Sequence, residues 1–179
     1  MRAWTCGVVV AIGLMAIPDT TQAQTQAGGP ADIEIGHIRS HHAGVRAMVA
    51  TASEQSPTFH RMVETINASD GIVYIERGEC KQGVRACLVK VIPAGGYRLV
   101  FIKVDIMRAE TTLMAAIGHE LRHAIEVLSD PAVRDYSSMV FFYRNKHEGV
   151  VTSTTFETKA AREAGAIVAD EIGRFRRAR

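Results

Sequence analysis

The sequence predicts an α+β domain: N-terminal helices, a three-stranded antiparallel sheet, a central helix and further helices to the C-terminus. Three observations predict it. Apolar residues recur at helical spacing before residue 67 and again after residue 110. Between them lie three runs rich in β-branched and aromatic residues. Polar turns with proline and glycine separate the runs.

The chain of 179 residues is long enough to bury one core. Its first stretch is read as an export signal rather than as fold. Arg2 gives a positive start, Cys6 to Ile17 an apolar run too short to anchor in a bilayer, and Thr21-Gln22-Ala23 a small-x-small cleavage site. The expected organisation is a signal peptide over 1–23, a flexible leader over 24–32 with Gly28, Gly29 and Pro30, and a single domain over 33–179. Export places the protein in a periplasmic or extracellular setting, with no stable membrane anchor after cleavage. In that oxidising setting Cys80 and Cys87 are expected to form a disulfide across the turn at Gly83.

A helix is expected from Ile33 to Thr51, and a second from Ser56 as N-cap and Pro57 at the first helical position to Asn67. His37, His41 and His42 share helical spacing but have no carboxylate beside them, so they read as exposed histidines. The three strands are Ile72–Glu76, Ala86–Ile92 and Tyr97–Val104, read as a meander whose last strand lies at an edge. Glu110 to Ser129 forms the central helix, ended by Asp130 and Pro131. Stepped at 100° per residue, Leu113, Ile117, Leu121, Ala124 and Leu128 fall within about 80° of arc, with His119, His123 and Glu126 on the opposite side. A helix follows from about Ala132 to Arg144. After a polar connection over Lys146 to Ser153, a last helix runs from Phe156 to about Phe175.

The central helix carries the chemistry. His119-Glu120-Leu121-Arg122-His123 is a His-Glu-x-x-His arrangement. Four residues advance a helix by about 400°, so the two imidazoles leave one face and can share an ion. Neutral imidazoles suit zinc, and Glu120 lies close enough to take a proton from a water on the metal. Two histidines leave a third ligand to be found. Glu126, seven residues after His119, suits a supporting role beside His123 better than ligation from the same rigid rod. Glu157 heads the stripe Ala161, Ala164, Val168 and Ile172, and a carboxylate aimed inward needs a counter-charge. It is also the fourth residue of a capping box opened by Thr154, which would explain it without a metal. Glu163 and Asp170 fall on the outer face and are set aside.

With these residues in view, the chain resembles the zincin metallopeptidases, and within them most closely a small gluzincin, whose third ligand is a glutamate on a later helix. The resemblance covers 72–175 in architecture, but only the motif and Glu157 in residues. Arg122 departs from the pattern, because zincin motifs usually carry an uncharged residue there. The resemblance implies a zincin-like domain holding one Zn2+ per chain on His119, His123 and Glu157. It also implies a water activated by Glu120, which then passes its proton to the leaving amine. Tyr143 and His147 are the candidate donors to the oxyanion, and the edge strand over 97–104 could hold a peptide or protein substrate by strand addition. Two other readings stay open: a zinc-holding exported module without catalysis, and an exported structural domain whose motif is accidental. The net charge of +2, with no basic run interleaved with aromatics, gives no case for nucleic acid. The arginines at 174, 176, 177 and 179 read as favourable charge at a helix end.

Overall fold

The computed structural model describes residues 36–80, 83–107, 109–145 and 156–179. The expected signal peptide, the leader, Thr154 and His147 lie outside the described residues. All of the described residues belong to one compact unit spanning 32–179.

The fold is α+β, with five helices and a four-stranded mixed sheet among the described residues. The first structured segment is a strand, β1 (Ile38–Arg39), and not the start of a helix. Ile38 and Arg39 pair in parallel with Val73 and Tyr74, so tertiary pairing overrides the helical spacing of this short stretch. Helices α1 (Ala43–Gln55) and α2 (Pro57–Asn67) follow. Ser56 caps α2 through its hydroxyl, which accepts from the Phe59 N–H at 3.0 Å, with Pro57 next as expected. Glu171 reaches across from the last helix to accept from the Thr58 N–H and hydroxyl at the same helix end.

Strands β2 (Gly71–Arg77), β3 (Ala86–Ala94) and β4 (Tyr97–Val104) fall where the sequence puts them, but they are not an antiparallel meander. The order is β1-β2-β4-β3, with β2 and β4 parallel and only β3 and β4 antiparallel. The burial pattern gives the reason. Four of the first five residues of β2 are buried, as suits an inner strand covered on both faces, and it pairs with β1 on one edge and β4 on the other. In β3 buried and exposed positions alternate, and it ends exposed, as suits an edge strand. Gly95, at φ 59°, turns the β3–β4 hairpin and folds β3 outward, leaving β4 to pair with β2. The strand over 97–104 is therefore interior, and among the described strands β3 and the short β1 end the sheet.

Helix α3 (Glu110–Leu128) lays Leu113, Ile117, Leu121, Ala124 and Leu128 into the core, as the stripe predicts. Ile117, Leu121, Ala124 and Leu128 join Val73, Ile75, Val100 and Ile102 of the sheet with Phe59 and Ile66 of α2. Helix α4 (Tyr136–Asn145) begins four residues later than expected, because Asp135 accepts from the Ser138 N–H at 2.7 Å and sets the cap there. Helix α5 (Lys159–Arg177) begins three residues late. Its N-cap is Thr158, whose hydroxyl accepts from the Ala161 N–H at 3.1 Å, so Glu157 precedes the helix and does not sit on it. The stripe Ala161, Ala164, Val168 and Ile172 is buried as expected. Cys80 and Cys87 are joined as a disulfide, with Cα atoms 6.0 Å apart.

Candidate metal centre

The site is built where α5 is pressed against α3. Gly165 makes this approach possible, because a Cβ there would lie 3.2 Å from the Cβ of His119 and 3.3 Å from the Ala115 carbonyl oxygen. The contact seats the start of α5, and with it Glu157, over the two histidines. His119, His123 and Glu157 bring one ligand atom each to within 4.8 Å of one another. His119 Nε2 lies 3.8 Å from Glu157 Oε1. Two of the three side chains end in buried atoms with no hydrogen-bond partner, His123 Nε2 and Glu157 Oε1. Orphaned buried polar atoms are costly, and two that both offer lone pairs in one cluster fit a cation between them. Two imidazoles and a carboxylate are a donor set that zinc accepts.

His123 is 2 % exposed and is held from behind. Its Nδ1 lies 3.1 Å from Glu126 Oε2, a contact that fixes the proton on Nδ1 and leaves the Nε2 lone pair free. Glu126 takes the supporting place that its spacing suggests. Its other oxygen accepts from the Thr158 hydroxyl at 2.8 Å, so one threonine caps α5 and also orients Glu126. Arg122, the unusual residue of the motif, approaches the same carboxylate with Nε at 3.9 Å and is directed away from the histidines.

Glu120 is buried, with Oε2 accepting from the Leu88 N–H at 2.7 Å and Oε1 lying 3.9 Å from His119 Nε2. Burial pushes its carboxyl up to about 7, although His123 and the Leu88 hydrogen bond pull the other way. His119 moves in the opposite direction, to about 4, first because it is buried and then because His123 lies beside it. The His119 imidazole is thereby favoured in the neutral form that a metal requires.

Tyr143 does not stand where an oxyanion donor would. It is 1 % exposed, and its hydroxyl donates to the His123 carbonyl at 3.1 Å and lies 3.3 Å from Nδ1, behind the imidazole. Burial first, and Glu126 second, drive its pKa well above the ordinary tyrosine value, so it remains a neutral donor. Tyr136, on the first turn of α4, is exposed.

Thr158 and the main chain of Leu88 are the parts of the site that sequence reasoning missed. A threonine two residues before two alanines looks like an ordinary cap, and a backbone N–H leaves no mark in a sequence. Replacing Thr158 with Val should weaken zinc binding about 10- to 100-fold, because Glu126 loses its donor. It should also lower stability by about 1 kcal/mol through loss of the cap. Thr158→Ser should restore both. Competition with a chromophoric chelator, alongside thermal melts, reads the two effects separately.

Two hollows adjoin the site. A cleft of about 710 Å³ runs between the 83–86 segment and the facing sides of α3 and α5, with His119, Glu120 and Glu157 at one end. A smaller hollow of about 200 Å³ lies on the other side of Glu120, against Leu88, Tyr143 and Phe156. No helix among the described residues is long and apolar enough to cross a membrane. Comparison of the chain with family models, curated proteins and solved structures finds no match.

Proposed function

We propose that the chain is an exported zinc-dependent peptidase of the gluzincin kind, with His119, His123 and Glu157 as metal ligands and Glu120 as the group that moves protons. The observation that carries this reading is the pair of buried, unpartnered atoms on His123 and Glu157, clustered with His119. The apolar run and cleavage signal at the N-terminus, together with the Cys80–Cys87 disulfide, support export.

Bound there, zinc supplies Lewis acidity towards a carbonyl and makes water acidic near neutral pH. The chain's own residues do the rest. Glu120, held by the Leu88 N–H and raised to about 7, is poised to accept a proton near neutral pH and to return it to a leaving amine. Glu126, backed by Thr158, keeps His123 in the tautomer that offers Nε2. The open edge of β3 runs past Glu120 and offers main-chain groups to an extended peptide, the role that the sequence suggests for the 97–104 strand.

Metal analysis and peptide hydrolysis on the protein, beside Glu157→Ala, test the reading. The expected result is one zinc per chain, bound more than about 100-fold more weakly without Glu157, a loss larger than an outer-sphere partner causes. Zinc bound as tightly in Glu157→Ala would sink the ligand set. Stoichiometric zinc with no cleavage of any peptide in a random library would leave a zinc-holding binding module. No zinc at all would make the motif accidental.

A further inference from the structure

We propose that the larger cleft binds a carboxylate of the substrate, so that the protein selects peptides carrying an acidic group to one side of the bond presented to Glu120. This rests on the peptidase reading above and names the substrate class for the same site.

The cleft is charged in one sense once the metal end is left behind. Glu120 and Glu157 are the only acidic residues among the described ones that line it, and both belong to the candidate centre. Beyond them the charged lining is Arg85 on one wall and Arg162 on the other. Both arginines are exposed, and neither has an ion-pair partner among the described residues. Arg162 stands three residues before Gly165, the point where α5 touches His119, so its position along the cleft is fixed by the same contact that builds the site. The rest of the lining from the two helices is Thr111 and Thr112 with Ala115, Ala116, Gly165, Ala166 and Ala169. Such short, uncharged side chains leave the width to a ligand and offer the guanidiniums no acidic partner.

The hollow on the other side of Glu120 has the opposite character. Apart from the residues of the candidate centre, which line it too, its walls are Leu88, Tyr143, Phe156 and the disulfide-bonded Cys87, with Val84 and Ala86, and no lysine or arginine lines it among the described residues. The candidate centre thus borders both a narrow hollow with otherwise apolar walls and a wide cleft that carries two arginines. A peptide lying across both would place a small apolar side chain on one side and an acidic group on the other. Two guanidiniums facing each other across a cleft suit a carboxylate, which each can bind through paired N–H donors.

The test is binding, measured apart from turnover. Fluorescein-labelled octapeptides of alanine and leucine carry Glu, Gln or Lys scanned through each position, with free or amidated C-termini. Each is titrated against the zinc-loaded Glu120→Gln protein by fluorescence polarisation. Glu peptides should bind about ten-fold more tightly than their Lys counterparts, the sum of two exposed charge pairs and their reversal. The gap should close in Arg85→Ala/Arg162→Ala, invert in Arg162→Glu and narrow as salt is raised. A gap that follows the free C-terminus assigns the site to a terminal carboxylate, and one that follows the Glu position assigns it to a side chain. Equal affinity for Glu, Gln and Lys, or a preference that survives loss of both arginines, overturns the proposal. Thermal melts of the variants check that the fold is intact. The same peptides incubated with the wild-type protein separate the two claims. Preference without hydrolysis would sink the peptidase reading and leave a carboxylate-binding cleft, whereas hydrolysis without preference would do the reverse.

Discussion

Glu120→Gln should abolish peptide hydrolysis while making the metal-free protein more stable at alkaline pH. The loss of activity should be about 10²- to 10⁴-fold, the usual contribution of a positioned acid–base group, with zinc still bound. The gain in stability follows from burial. In the folded protein Glu120 stays neutral up to about pH 7, whereas in the unfolded chain it ionises above its ordinary value of 4.5. Its contribution is therefore complete below pH 4.5 and is lost as the pH rises through 7. Above that point the wild type is short by about 3 kcal/mol relative to a neutral residue of the same shape. Gln keeps an oxygen for the Leu88 N–H and carries no charge. His119 acts in the opposite direction, because its folded value of about 4 lies below the ordinary 6.5. Its contribution is present above pH 6.5 and is lost as the pH falls towards 4. The two slopes oppose each other in the wild type, so the effect appears in the difference between the proteins. Urea unfolding of both, metal-free, at pH 5 and pH 8 measures it. Equal stability at both pH values would mean that Glu120 is not buried as described.

Arg98→Ala should be the most destabilising single substitution outside the apolar core, at about 3–5 kcal/mol. Arg98 is 4 % exposed at the start of β4. Its guanidinium holds both oxygens of Asp70 at 2.9 and 2.7 Å. It also donates to the carbonyls of Val127, Leu128, Asp130 and Val133. Those of Val127 and Leu128 belong to the last turn of α3, where helix carbonyls lack partners and a cation is favoured. Arg98 therefore latches the end of the motif helix to the head of the sheet. Asp70 is held below the usual carboxylate range chiefly by its hydrogen bonds from Arg98. Its share of the latch is present above its ordinary value of 3.8 and fades as the pH falls through the depressed one. A drop in Tm of roughly 10 °C is expected, with Arg98→Lys intermediate because an ammonium cannot reproduce the fork. A change of under 2 °C would show that the latch carries little.

Some of this was legible in the sequence and some was not, for reasons specific to each residue. The stripe from Leu113 to Leu128 and the opposed histidines were legible because helical periodicity is local. Arg98 left a sign that went unread: it shares parity with Val100, Ile102 and Val104, the buried face of β4, so an inward charge was already implied. The partners of β2 were not legible, since any of the other strands could supply the pairing that its apolar run demands. The start of α5 was misplaced because two threonines, Thr154 and Thr158, both offer cap chemistry. Only contact with Glu126 on another helix gives Thr158 a second role. The place of Tyr143 in the chain, between the two segments that carry the candidate ligands, makes it a candidate oxyanion donor beside His147. The direction in which a helix presents a side chain to a distant one is set by packing, which put Tyr143 behind His123.

The edge that would receive a peptide is also the part of the molecule most open to its own kind. Among the described strands β3 ends the sheet, and the edge of a terminal strand invites other copies to add themselves and grow into aggregates. Four features work against that growth. The ladder shifts register between Leu88 and Lys90, a bulge that bends the strand. Lys90 places its ammonium over the Phe101 ring, a cation that a second identical strand would have to face. Pro93 withholds a donor near the far end. Glu120 occupies the Leu88 N–H at the near end. What remains is a short, bent length of edge that can receive one extended segment at a time and offers a poor template for stacking strand upon strand.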